Sequence, residues 1–150
     1  MKLSAPHIDN KDYDYVKKVI KSNWISTSSL YVNIFEKKIS KISGTKYAVA
    51  TNSGTSAIHL ALMAMGVNEN CEVIVPSITF IATANPILYL KAKPIIIDVD
   101  EKYNLKIEDV LKFIKEKTIF KNNVTINKKT KKILKVIMVA HMWGRPCDFL

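Results

Sequence analysis

At 150 residues and 48% hydrophobic composition, the chain can close a hydrophobic core and is too apolar for a disordered tail. No run approaches the roughly 20 apolar residues of a membrane span, and the first ten residues lack the apolar centre of a secretion signal, so a cytoplasmic protein with no membrane partner is expected. The formal net charge of +10 rests almost wholly on Lys, Arg145 being the single Arg. Phosphate and base recognition favour the planar fork of Arg, so the excess reads as compositional bias and no nucleic-acid partner is expected. Cys71 and Cys147 lie in no metal-ligand or redox spacing and are read as reduced thiols.

Residues 9–22 carry Val16, Val19 and Ile20 at helical spacing, with acids early and lysines late, and predict a first helix. The serine-rich segment 23–29 interrupts it. Tyr31, Ile34, Phe35, Ile39 and Ile42 then repeat at helical spacing until Gly44 stops them, which predicts a second helix. Residues 46–51 read as a short buried strand, 52–55 as a turn, and 56–65, apolar on nearly all sides, as a buried helix.

The same unit then repeats in kind, with a strand at 72–75 closed by Pro76, a helix over 80–90 and a strand at 94–99. An amphipathic segment at 107–114 leads into a lysine-rich polar stretch, and 134–139 makes the next strand. Continuously apolar strands alternating with helices imply an α/β fold of three layers, with a mostly parallel sheet covered by helices on both faces.

Thr51-Asn52-Ser53-Gly54-Thr55-Ser56 runs from a strand end through a glycine turn into a helix. Unpaired N–H groups at a helix start carry partial positive charge, and Gly54 lets a ligand approach the backbone, so the turn can cup a phosphate with help from the Thr55 and Ser56 hydroxyls. Ser53 or Thr55 acting only as a helix cap is the competing explanation. Neither a dinucleotide nor a nucleoside-triphosphate glycine motif is present, which favours a cofactor with one phosphate. Phe80, just past the strand ending at Pro76, is either core or a ring platform at the same sheet edge.

The ordered set NSGTSAIHLAL, EVIVPSITFIATAN, KAKPIIIDVD and VAHMWGRP, spanning nearly the whole chain, resembles the sugar aminotransferases of the DegT/DnrJ/EryC1/StrS family. The resemblance implies the large domain of a fold-type I transferase dependent on pyridoxal 5′-phosphate. Gly54, Thr55 and Ser56 would hold the cofactor phosphate, and Phe80 would stack on its ring. Trp24 and His141 become candidate substrate contacts, His141 being equally open to a structural role. Asp98 and Asp100 fall in the family's strand-end acidic pair and are read as structural. The polar insert 127–130 looks most like enzymes that aminate nucleotide-linked keto sugars on the way to legionaminic or related acids. A keto sugar, glutamate as amino donor and a homodimer are the implied partners.

There are departures. Pro86 falls inside the expected helix 80–90, where it should produce a kink, and Arg145 and Cys147 are less usual in their motif. The family's chains are more than twice as long, and their ring-nitrogen acid and Schiff-base lysine lie beyond residue 150. The expectation is therefore an N-terminal part of the large domain, with 1–29 a helix and loop, 30–150 a partial sheet domain, no C-terminal domain, and no aminotransferase activity by itself. The alternative class is a non-catalytic module that keeps the phosphate cup for binding or interaction.

Overall fold

The computed structural model describes residues 5–148, which fall into two compact units, Met1–Ala50 and Thr51–Leu150. In the first unit, α1 (Asn10–Lys21) opens on a reciprocal cap. The Asp9 carboxylate accepts from the N–H groups of Lys11 and Asp12 at 2.8 and 3.3 Å, and the Asp12 carboxylate accepts from the Asp9 N–H at 2.9 Å. α2 (Leu30–Ser43) starts on the Ser29 hydroxyl and ends at Gly44, whose φ of 68° is the left-handed turn that a side chain would resist. Val16, Val19 and Ile20 of α1 and Tyr31, Ile34 and Phe35 of α2 line one apolar cavity, and the rings of Tyr15 and Tyr31 meet edge to face at 6.2 Å.

Residues 46–51 do not form the expected strand. No described strand pairs with this segment; Tyr47 and Val49 stand 74% and 68% exposed, and the Ala50 N–H is held at 2.8 Å by the Glu36 carboxylate instead of a ladder neighbour. Alternating apolar residues make a strand only where another strand satisfies the backbone. That bond ties residue 50 to α2, within the first of the two units.

The second unit begins with α3 (Gly54–Ala64), followed by β1 (Cys71–Pro76), α4 (Asn85–Tyr89), β2 (Lys93–Ile97), α5 (Ile107–Lys117), β3 (Thr118–Lys121), β4 (Val124–Asn127) and β5 (Ile133–Ile137). The sheet order is β2-β1-β5-β4-β3. β1 pairs in parallel with β2 and β5, while β5-β4 and β4-β3 are antiparallel, so the sheet is mixed. The parallel strands are the expected ones; the antiparallel hairpin occupies the stretch read only as polar.

All six residues of β1 are buried. By the period of two, Cys71, Val73 and Val75 point to one face, where Leu62 of α3 and Ile87 of α4 cover them. Ile74 points to the other, into a core with Leu105, Val110 of α5 and Cys147. Helical material on both faces makes the three layers. α3 is less buried than its all-round apolarity suggests, since only Leu62 is fully enclosed and Leu60 and Met63 are exposed. The segment expected as one helix over 80–90 is broken into a single 3-10 turn, Ile81–Thr83, and the five-residue α4. Pro86 sits in the first turn of α4, where its missing N–H does least harm.

Glu72 is the exception in β1, a carboxylate with no exposed surface on the α5 side of the sheet. Its oxygens accept from the Asn127 amide at 2.7 Å and from the Thr130 hydroxyl at 2.8 Å. Asn127 itself accepts from the N–H of Lys129 at 2.9 Å, so one buried acid fixes the turn that joins β4 to β5. A buried charge that loses a partner keeps its desolvation cost, so Asn127→Ala is expected to destabilise the second unit by about 2–4 kcal/mol. Urea unfolding checks this; a midpoint unchanged from the parent would remove the clamp from the account of stability.

Candidate cofactor-binding site

Ser53 is the N-cap of α3, and its hydroxyl accepts from the Ser56 N–H at 3.1 Å while donating to the Ser56 hydroxyl at 3.0 Å. The Ser56 hydroxyl in turn donates a hydrogen bond to the Asn52 side-chain oxygen at 2.7 Å. This chain of three side chains builds the turn and leaves the N–H groups of Gly54 and Thr55, the first two of the helix, without an acceptor among the described residues. The Thr55 hydroxyl makes no hydrogen bond either, whereas that of Ser56 is already engaged. The cup's ready donors are therefore two backbone N–H groups and one hydroxyl. Gly54 has no left-handed backbone, and a Cβ built on it meets nothing within 4 Å. What glycine provides here is open space above the N–H groups, since neither turn geometry nor packing requires it.

Phe80 is 77% exposed and caps the 3-10 turn Ile81–Thr83, which packs against α3. The Thr79 and Thr83 hydroxyls, 2.8 Å apart, close the loop beneath it. The reading of Phe80 as core is thereby set aside. α3 ends at Ala64 and β1 begins at Cys71, and a connection this short makes the helix double back along the strand. The start of α3 thus lies toward the carboxyl end of β1, the end from which Ser77 and Phe80 follow. β5 runs parallel to β1 and delivers His141 to that same edge. Gly54, Thr55, Ser56, Phe80 and His141 are brought to one edge of the sheet, where open α/β folds hold their ligands. Trp24, 61% exposed, belongs to the first unit, in the turn after α1.

The surrounding loops are held by side chains that grip backbone. Asp98 accepts from the Val99 N–H at 2.8 Å and the Ser77 hydroxyl at 3.0 Å. These bonds, with the positive charge of Lys106, outweigh a small desolvation and hold its carboxyl below the usual range. Asp100 accepts from the N–H groups of Lys102 and Asn104 at 2.8 and 2.9 Å. Both acids of the strand-end pair thus close loops, in keeping with a structural role.

Asn104, buried and unremarked in the sequence, holds the loop that bears His141. Its amide donates to the Pro146 carbonyl at 3.0 Å and its oxygen accepts from the Met142 N–H at 3.2 Å. The Cys147 N–H donates to His141 Nδ1 at 3.0 Å, which leaves the neutral ring with its proton on Nε2, at an exposed position. Between these anchors Trp143 adopts a left-handed backbone, φ 55°, and is 81% exposed. Such a conformation in a bulky residue is strained and persists because both flanks are fixed. A polar residue between two loops, 42 and 38 positions from its side-chain partners, carries no local sequence signal.

The chain belongs to the DegT/DnrJ/EryC1/StrS aminotransferase family, which it matches over residues 6–150. It is 37% identical over 144 residues to GDP-perosamine synthase of Escherichia coli O157:H7, a match covering 95% of this chain and 35% of that one. Among solved structures, a DegT/DnrJ/EryC1/StrS aminotransferase from Brucella abortus superposes with a TM-score of 0.78 at 27% identity, covering 91% of this chain and 34% of that one. An aminotransferase from Psychrobacter cryohalolentis gives 0.75 at 28% identity, covering 95% and 32%. The chain spans about a third of the length of these relatives. The putative pyridoxal phosphate-dependent aminotransferase EpsN of Bacillus subtilis is 47% identical over 96 residues, a match covering 64% of this chain and 25% of that one.

Cys147 reports on the anchored loop. It is 5% exposed, and burial, with the nearby carboxylates of Asp100 and Asp148, pushes its thiol above the ordinary value. A raised thiol favours the neutral form in the fold, so this contribution is present below the ordinary thiol value and is lost as pH rises through the raised one. In the native protein at pH 8, alkylation of Cys147 mapped by mass spectrometry is expected to be at least tenfold slower than in urea, and Asn104→Ala is expected to restore most of the rate. A parent Cys147 that reacts as fast as the unfolded thiol would contradict the anchoring.

Proposed function

We propose that the chain carries the phosphate-binding part of the cofactor site of a sugar aminotransferase. The observation that supports this most directly is the start of α3, where two backbone N–H groups and the Thr55 hydroxyl lie without acceptors under the open space left by Gly54. The donor set fits a phosphate dianion, because every free group in it donates and the helix end adds partial positive charge. Gly54 and Thr55 hold the phosphate by backbone and hydroxyl, and Ser56 sets the turn. Phe80 supplies the exposed ring that orients a flat heterocycle by stacking, and His141 Nε2 donates a proton to an oxygen of substrate or cofactor. Pyridoxal 5′-phosphate bound there supplies the electron sink for moving an amino group.

In the whole protein the substrate class is a nucleotide-linked keto sugar with glutamate as amino donor, and the setting is cytoplasmic assembly of surface polysaccharide by a homodimer. Family membership and the likeness to a GDP-perosamine synthase support this reading. Trp24 is assigned to the substrate side within it.

Gly54→Val gives a clean test. The site for the added carbons is open and the backbone is ordinary, so the fold should be kept while the approach to the N–H groups is blocked. Binding of pyridoxine 5′-phosphate, which has no aldehyde to react with lysines, is followed by its own fluorescence. Affinity is expected to fall at least tenfold in Gly54→Val and about threefold to tenfold in Thr55→Ala, in line with one lost hydrogen bond to a charged group. Equal affinity in Gly54→Val and the parent would overturn the proposal.

A further inference from the structure

At the opposite edge of the sheet lies a second concavity, of about 420 Å³, that the cofactor reading does not use. It is lined by Lys93 at the start of β2, Lys117 at the end of α5, and Lys128 and Lys129 in the turn after β4. These belong to the amino end of a parallel strand and to the turn gripped by Glu72, itself near the amino end of β1. Ser77, Phe80 and His141 follow the carboxyl ends, so the two places are separated by the length of the strands.

Three separate segments of chain thus place four lysines in the lining of one hollow, with Glu116 the single acid among the lining residues. Lys128 Nζ donates to the Glu116 carbonyl at 2.9 Å. Lys93, Lys117 and Lys129 form no ion pair, the one such pair among the described residues being Lys106 with Asp109 at 3.4 Å. Lysines that line one hollow repel one another unless solvent or an anion lies between them. The turn that bears Lys128 and Lys129 is anchored through Asn127 and Thr130 to the buried Glu72, which fixes its position. The half-buried ring of Phe113 forms part of the wall, and the volume lies in the range of small-molecule sites. A hollow of this size matches a compact ligand.

We infer that this hollow is a second anion site that takes a compact phosphate-bearing small molecule of charge about −2 to −4, such as a diphosphate, free or carried on a nucleoside. Three unpaired ammonium groups match its charge, and Phe113 offers a surface for an attached base.

The test is isothermal titration of the protein with pyrophosphate and, in parallel, ADP, in the parent and in three variants. Lys93→Gln with Lys129→Gln removes two exposed charges at the hollow. Lys17→Gln with Lys21→Gln removes the same charge from α1, and Gly54→Val closes the cup at α3. Expected are saturable binding of pyrophosphate in the parent, about a tenfold loss in the first variant, less than a twofold change in the other two, and affinity that falls as salt is added. Tighter binding of ADP would assign a nucleotide as occupant, and equal binding a free diphosphate; each supports the site. No saturable binding, an equal loss in the α1 variant, or a loss confined to Gly54→Val would overturn it, the last sending the anion to the cup and leaving the cofactor proposal standing. Circular dichroism of each variant confirms that the fold is kept.

Discussion

A strand with no solvent face is the constraint from which most of this fold follows. β1 is enclosed on both sides and paired along both edges, so each of its residues must find an apolar or hydrogen-bonded partner within the chain. Its odd residues are covered by α3 and α4, its even ones by α5 and the loop ending at Cys147. Because both neighbouring strands run parallel to it, the chain must cross over between them, and those crossovers carry α4 and α5, which join α3 in supplying the cover. The same parallel pairing sends the segments after β1 and β5 to one edge. The position of the candidate site is thus a consequence of how β1 is buried.

Placing Glu72 in such a strand costs solvation that only specific partners return, and those partners come from the β4–β5 turn. The acid therefore selects one arrangement of the hairpin: a shift of β4 by one residue would move Asn127 away and strand the carboxylate. At the opposite edge the fixing groups are Asp98, Asp100 and Asn104, each accepting from or donating to backbone in the loops. Loops held in this way can store the left-handed Trp143 beside His141, because relaxing it would break bonds on both flanks.

The elements most legible in the sequence were those with a strong local period and a physical stop. α1 and α2 followed from apolar spacing, the acids near residue 9 and Gly44; the parallel strands followed from unbroken apolar runs. Residues 46–51 misled because a strand depends on a neighbour that no local pattern guarantees. Apolarity on all sides predicts a fully enclosed α3 but does not say which faces are covered. The β3–β4 hairpin does carry a local signal: Asn122 and Asn123, both with positive φ, separate two short β-prone segments, the pattern of a tight hairpin turn. Within the site, the helix start at Ser53 was visible from residue types alone. The engagement of the Ser56 hydroxyl with Asn52 and the work of Asn104 were not, since both depend on side-chain directions or on contacts far apart in sequence.

The two proposed anion sites differ in how their charge is held, and this sets what each would discriminate. At α3 the donors are backbone N–H groups whose directions are fixed by the helix, and the helix is fixed by Leu62 against β1. Such donors cannot swing to follow a misplaced ligand, so they favour a tetrahedral dianion seated at one point. The lysines at the other edge end in flexible four-carbon stems and act as point charges, which attract any anion of suitable size and charge with less demand on its shape. The chain's general excess of lysine raises the local concentration of anions everywhere on the surface without choosing among them. Choice must come from geometry, and at the carboxyl edge of the sheet it comes from a glycine that leaves space, a serine that sets the turn, and a helix held in place by its buried face.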